Sequence, residues 1–326
     1  MNRFEYVDAV SIEDAISWLD ADWNARVIGG GTDLLGEMKG ELIAPTRLVN
    51  IKTIPDLRGI KDSGSEGITI GALTTLTTVE ADPAIRAQSP ILSQAAGSAA
   101  SPQLRNMGTI AGNLCQRPRC WYYREKDVPC LRKGGKRCFA VRGDNRYHCI
   151  LGGGPCFIVH PSDTAPALIA LDARLTIAGP TGTRTLPAGE FFVLPRTNPH
   201  RENVLEANEV IAQIDIPAPD EGAVGTYIKF RERQSWDFAI VSVAAQITLD
   251  GTRCTKARIV LGGVAPAPWR SSEAETELTG RELNAAVLEK AADAAVADVK
   301  PMSGNAYKVT VARNLIRQAL EELMPG

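Results

Sequence analysis

Six of the chain's seven cysteines fall in one stretch, Cys115 to Cys156, reading "CQRPRCWYYREKDVPCLRKGGKRCFAVRGDNRYHCILGGGPC". Thiolates gathered this closely suit a metal or redox site, whereas a disulfide framework belongs mainly to small secreted domains. The spacing is Cys115-x4-Cys120-x9-Cys130-x7-Cys138-x10-Cys149-x6-Cys156. No C-x-x-C pair occurs, which argues against zinc ribbons, zinc fingers and a thioredoxin-like dithiol, and the pattern is unlike the compact ferredoxin run. A long loop can still bring four distant sulfurs together, because closure entropy grows only logarithmically with length. Between Arg117 and Arg146 stand ten Lys/Arg and three acids. Cationic neighbours favour thiolate, and they offset the negative charge of a four-thiolate iron–sulfur cluster. Two other readings share these residues. One is zinc held by cysteines with His148 or His160. The other is a nucleic-acid patch with Trp121, Tyr122, Tyr123 and Tyr147 as stacking platforms.

A second chemistry lies at two small-residue turns. Gly29 to Gly31 follow the apolar "RVI" and precede a helix pattern opening at Thr32 or Asp33. Without side chains they let backbone N–H groups approach an anion, phosphate being the natural guest. The spacing matches neither the Rossmann fingerprint nor a P-loop, so a plain tight turn is the alternative. "TIAGN", Thr109 to Asn113, is the second such turn. By themselves Asp163 reads as a helix N-cap and Lys229 as an exposed strand residue.

The elements that must position these groups follow from periodicity. "SIEDAISWLD" reads as a capped helix, and "RLVNI" and "GITIGAL" as strands. "PILSQAAGSAAS" reads as a closely packed small-residue helix, "APALIALDARLTIAG" as helix then strand, and "EVIAQIDIP" as strand. The cysteine stretch has no period and is a long irregular insertion, about 115–158. After residue 220 come three strands, with a hairpin turn at Asp250-Gly251, and then three helices. The last helix carries Val309, Ala312, Ile316, Ala319 and Leu323 on one stripe. The chain therefore divides near 220 into a larger mixed unit and a smaller sheet-plus-helix unit. Its 326 residues suit two domains, and a net charge of −2 gives no global pull toward nucleic acid or anionic membranes. No apolar run nears the ~20 residues of a membrane span. The opening lacks a secretory pattern, so the expected compartment is the cytoplasm.

"RVIGGGTDLL", "GTIAGNLCQ", "HPSDTAPALIALDA" and "YIKFRER", in that order, resemble the FAD-binding subunit of the xanthine dehydrogenase and carbon monoxide dehydrogenase family, the flavoproteins of molybdenum hydroxylases. The resemblance implies an α+β chain. A two-part FAD-binding domain of the vanillyl-alcohol-oxidase-like type would cover 1–220, with subdomains of about 1–55 and 56–220. A smaller domain of the carbon monoxide dehydrogenase flavoprotein C-terminal type would cover 221–326. It further implies that both turns wrap the FAD diphosphate, through Val27, Ile28, Gly29, Gly30, Gly31, Thr32, Asp33 and Leu34 and through Thr109, Ile110, Ala111, Gly112 and Asn113. Asp163, Ile211 and Lys229 are the matching flavin contacts. Many relatives carry glycine where this chain has Ala111, which requires a negative φ there.

The insertion is similar to that of bacterial aldehyde oxidoreductase and 4-hydroxybenzoyl-CoA reductase flavoprotein subunits, where it binds a [4Fe–4S] cluster. The matching frame selects Cys120, Cys130, Cys138 and Cys156, leaving Cys115 and Cys149 as small buried residues and Cys254 without a role. The implied whole is a heterotrimer with a [2Fe–2S] small subunit and a large molybdenum subunit. Electrons would pass from the [2Fe–2S] clusters to FAD and on to an external acceptor. Aldehyde oxidation is the expected reaction. The alternatives are a hydroxybenzoyl-CoA reductase, with electron flow reversed, and a stand-alone flavin oxidoreductase. Some relatives in the aldehyde group reach the periplasm with a signal-bearing partner, so the resemblance leaves that compartment open too.

Overall fold

Ser11 begins the first helix as the periodicity requires, its hydroxyl accepting from the Asp14 N–H at 3.1 Å. The computed structural model describes residues 1–324. Strand β1 (Glu5–Asp8) leads through α1 (Ile12–Trp18) to β2 (Ala25–Ile28), and α2 (Leu34–Lys39) leads to β3 (Arg47–Asn50). These strands form a parallel sheet in the order β1-β3-β2. Parallel pairing needs crossover helices, and α1 and α2 supply them. The turn that concerns function is the link from β2 to α2.

The chain continues with β4 (Ile60–Asp62) and β5 (Ile68–Gly71), then five short helices: α3 (Leu76–Ala81), α4 (Pro83–Gln88), α5 (Pro90–Ser98), α6 (Pro102–Met107) and α7 (Ile110–Leu114). Proline opens α4, α5 and α6 at the position where its missing N–H costs nothing. Beyond the cysteine segment, which contains only the single turn α8 (Trp121–Arg124) and two short 3₁₀ turns, come α9 (Thr164–Ala170), β6 (Arg174–Gly179), β7 (Gly182–Pro187) and β8 (Val210–Ile216). The antiparallel sheet they complete runs β4-β5-β8-β6-β7.

The last unit is an antiparallel sheet of β9 (Ala223–Phe230), β10 (Val241–Asp250), β11 (Arg253–Gly262) and β12 (Trp269–Arg270), followed by α10 (Ser272–Leu278), α11 (Ala285–Ala295) and α12 (Tyr307–Glu322). Alternation along β10 sends Val243, Ala245 and Ile247 toward the C-terminal helices, while Ala244 joins the core of the preceding unit. Val241 to Ala245 are therefore all buried, because both faces of this strand are covered. Each such Val or Ile, fully buried, contributes about 1.5–3 kcal/mol.

Two features were not legible beforehand. Ile150 and Leu151, at the end of the cysteine segment, belong to the C-terminal core, and both donate their N–H to the Val264 carbonyl. Lys308, on α12, is fully buried and donates to the carbonyls of Tyr147 at 3.0 Å and Gly263 at 2.8 Å. The insertion is thus clasped by the C-terminal unit. Among the described residues no helix is long and apolar enough to cross a membrane.

Candidate functional site

A cavity of about 610 Å³ opens beside the β2–α2 turn, lined by Val27 through Leu34 from one side and Thr109, Ala111 and Gly112 from the other. Ile211, on β8, contributes to its apolar floor. Residues that sequence reasoning missed also line it, among them Trp23, Arg26, Arg117 and Arg201. Arg26 stands in β2, and the other three come from loops with no period to mark them.

The first turn offers its backbone. Among the described residues, the N–H groups of Gly29, Gly30, Gly31, Thr32, Asp33 and Leu34 donate to no protein acceptor. The last of these are the ordinary orphans of a helix start; the glycines add three more. Gly31 has φ +69°, a conformation a side chain disfavours. Gly30 is glycine for a different reason. A Cβ there would stand 2.0 Å from the Met107 carbonyl oxygen, so the turn lies directly against the segment before the second one.

The second turn behaves otherwise, since four of its five amides have protein acceptors. Ile110 donates to the Thr74 carbonyl at 2.9 Å and Ala111 to Ala72 at 3.2 Å. Gly112 is capped by the Thr109 hydroxyl at 3.1 Å, and Asn113 donates to the Thr109 carbonyl at 2.8 Å. Of the five residues only Thr109 keeps its N–H free among the described residues. Ile110 lies in the hydrophobic core, away from the cavity. Ala111 sits inside α7 with no positive φ, so its methyl is accommodated.

Besides Ile110, three expected flavin contacts stand outside the cavity lining: Asn113, Asp163 and Lys229. The Asn113 side-chain oxygen accepts from Ser162 Oγ at 2.5 Å and Thr164 Oγ1 at 2.7 Å, tying α7 to the start of α9. Asp163 makes no side-chain cap to α9. Its carboxylate accepts from Lys229 Nζ and from Tyr227 Oη, each at 2.8 Å, and the ion pair is nearly sealed from solvent. Lys229 also donates to the Ser98 carbonyl at 3.1 Å, so it is a buried, paired residue and not an exposed one. Tyr227, in the "YIKF" strand, is the partner not foreseen.

The carboxylate of Asp33 connects the first turn to the cysteine segment. It accepts from Arg119 at 2.5 Å, Arg124 at 2.9 Å and the Arg117 N–H at 2.6 Å. Burial works to raise its pKa, but Arg119 and Arg124 outweigh that and hold it below the usual carboxylate range. Nearby, Glu202 is buried between Arg117 and Arg132.

Within the segment, Cys120, Cys130 and Cys138 each stand immediately before a one-turn helix. Burial pushes the Cys120 thiol up to about 11, and Cys156 and Cys130 lie close enough for their charges to add to that. Cys138 shares a hydrogen bond with Cys156, which holds the Cys156 pKa down, and the Arg132 guanidinium acts the same way. Cys149 is also near Cys156, with burial pushing it up to about 12, while Cys115 packs at the cavity and Cys254 is buried in β11. Among the described residues, no three His, Cys, Asp or Glu side chains are arranged around a point that suits a single metal ion. Cys130 and Cys156 near Cys120, Cys138 bonded to Cys156 and the buried Arg132 beside Cys156 make a donor set whose chemistry suits a cluster's thiolate ligation and negative charge.

The comparisons identify the family. Residues 2–219 match the family model "FAD binding domain in molybdopterin dehydrogenase", and residues 226–323 match "CO dehydrogenase flavoprotein C-terminal domain". The chain is 36% identical over 301 residues to the aldehyde oxidoreductase FAD-binding subunit PaoB of Escherichia coli (strain K12), covering 91% of each. It is 31% identical to the carbon monoxide dehydrogenase medium chain of Hydrogenophaga pseudoflava, covering 98% of this chain and 96% of that one. A solved carbon monoxide dehydrogenase from the same organism superposes with a TM-score of 0.79 at 30% identity, over 99% of both chains.

Proposed function

Because this chain belongs to the family of FAD-binding subunits of the xanthine and carbon monoxide dehydrogenases, we propose that it is the FAD- and [4Fe–4S]-bearing electron-transfer subunit of an aldehyde-oxidising molybdenum hydroxylase. The observation that carries the cofactor assignment is the row of six free amides, Gly29 to Leu34, along the 610 Å³ cavity. Such a row suits a diphosphate, since each oxygen can accept from main chain without a competing protein partner. The second turn, with its amides already spent, holds the first in place from behind. Asp163 and Lys229 are assigned to the part of the cofactor that extends past the cavity.

Cys120, Cys130, Cys138 and Cys156 are the proposed cluster ligands. Cys138 and the Arg132 guanidinium favour thiolate at Cys156, while burial keeps Cys120 protonated until a metal takes the place of the proton. When bound, FAD exchanges electrons singly or in pairs and a cluster exchanges them singly, which suits a junction between carriers. The preference for an aldehyde substrate rests on the similarity to a subunit named for aldehyde oxidoreductase. By the same family reading, a [2Fe–2S] small subunit and a molybdenum large subunit complete the complex, and an external acceptor takes the electrons.

The test is cofactor analysis of the complex purified anaerobically with its co-expressed subunits. One FAD, with four iron and four acid-labile sulfides assigned to this chain, is the expected result. Cys130→Ser should abolish the cluster's broad absorbance, while Cys254→Ser should leave it unchanged. A wild-type chain with flavin but no iron would remove the cluster from the assignment, and turnover of hydroxybenzoyl-CoA with no aldehyde would overturn the substrate class.

A further inference from the structure

His148 stands outside every role given so far. Its ring is 4% exposed, and Nε2 lies 3.3 Å from the Cys120 sulfur. The other ring nitrogen, Nδ1, is buried with no hydrogen-bond partner among the described residues. The Trp121 and Tyr122 rings flank it at 5.9 and 6.1 Å. Its backbone is held on both sides, His148 N–H donating to the Asn145 carbonyl at 2.9 Å and Asn305 Nδ2 donating to the His148 carbonyl at 2.9 Å. Asn145 is in turn tied to Ser303 at 3.1 Å. The imidazole is therefore presented by the C-terminal unit, whereas Cys120 belongs to the half of the insertion that Arg119 and Arg124 bind to Asp33. The contact between nitrogen and sulfur joins the two halves, beside the packing of Trp121 against Tyr147 and His148.

We infer that His148 is a positioning residue of the electron-transfer site, donating Nε2–H to the Cys120 sulfur and thereby raising the potential of the cluster that sulfur holds. The inference rests on the [4Fe–4S] reading of the cysteines. A sulfur bound to iron carries no proton, so the hydrogen in this contact has to come from the imidazole. Nothing beside Nδ1 would hold a proton there, which leaves Nε2 as the protonated nitrogen. Reduction places additional negative charge on the sulfurs, and an N–H donor in a buried, low-dielectric site stabilises that state more than the oxidised one.

The measurement is pulsed electron paramagnetic resonance on the reduced, intact wild-type complex carrying ¹⁵N-histidine, together with a redox titration. Weak nitrogen coupling to the cluster signal is expected. A strong coupling would make His148 a ligand, and no coupling would remove the contact; either result overturns the inference. His148→Phe should retain four iron and four sulfides with a lowered cluster midpoint and an unchanged flavin midpoint. His148→Gln, which keeps an N–H donor, should recover part of the shift. A fully loaded Phe variant with the wild-type midpoint also overturns it. Absence of iron from the wild-type chain would be a failure of the cluster reading itself, visible before any variant is made.

Discussion

The two small-residue turns look alike in sequence and differ in what they leave available. At the first, six consecutive residues line a cavity and, among the described residues, their N–H groups have no protein acceptor. At the second, four of five are consumed by Thr74, Ala72 and Thr109. Their glycines differ in cause as well. Gly31 is required by its backbone angle, while Gly30 is required because the Met107 carbonyl presses on it. In the function proposed above, one turn is the cradle and the other its buttress. A diphosphate site can thus be shaped by a neighbour that contributes few donors of its own, and substitutions in the two turns should separate the roles.

Gly30→Val should have the largest effect. Its Cβ would meet backbone, the Met107 oxygen at 2.0 Å and carbon at 2.8 Å, and no side chain can rotate away to make room. Relief requires the turns to part, at a cost of about 1–3 kcal/mol by the usual scale of overpacking. Parting them misplaces all six amides together, so the purified complex should contain little flavin and melt at lower temperature. Full FAD content with an unchanged melting point would show that the cradle does not depend on its buttress.

Asp33→Asn tests how the cradle is tied to the cysteine segment. The variant keeps an acceptor for the Arg117 N–H but leaves Arg119 and Arg124 without their counter-charge. Breaking a mostly buried pair by removing one member is costly, and the partial exposure of the arginines reduces this to about 2 kcal/mol. The folded-state pKa of Asp33 is depressed by these arginines. Its stabilisation is therefore fully present above the ordinary aspartate value of about 3.9 and is lost as pH falls through the lower, folded value. The stability gap between wild type and variant should be widest near neutral pH and close in acid. Denaturant titrations across that range measure it; a gap that persists unchanged below pH 3 would mean the carboxylate charge is not what Asp33 supplies.

What was legible beforehand was local. Ser11 capping, the 3.6-residue stripe of α12 and the Asp250-Gly251 hairpin depend on residues near each other in the chain, and all three are where periodicity put them. The α+β class and the family followed from four motifs in register. What escaped was long-range. Whether an amide is free depends on Thr74 and Ala72, some 36 to 39 positions from the residues they bind. By itself Lys229 reads as an exposed strand residue, yet Asp163 and Ser98 enclose it from two other elements. Lys308 lies next to the predicted apolar stripe, and only the carbonyls of Tyr147 and Gly263 make its burial tolerable. The insertion's attachment to the C-terminal core through Ile150 and Leu151 had no periodic signal at all.

The smallest effect is expected from Thr109→Ala, and it bears most directly on the difference between the turns. The Thr109 hydroxyl caps α7 by accepting from the Gly112 N–H at 3.1 Å. Loss of such a cap costs about 1 kcal/mol. It also frees the Gly112 amide, which lines the cavity and would then be available to an anion. If the second turn is only a buttress, stability falls by that amount while FAD affinity holds within about twofold, the cradle amides being untouched. If the second turn is a donor site held in reserve, the freed amide should tighten flavin binding despite the weaker helix. Flavin affinity by equilibrium titration of deflavinated complex, set beside the melting temperature of the same samples, distinguishes the two, and tighter binding by the variant would end the division of labour argued for these turns.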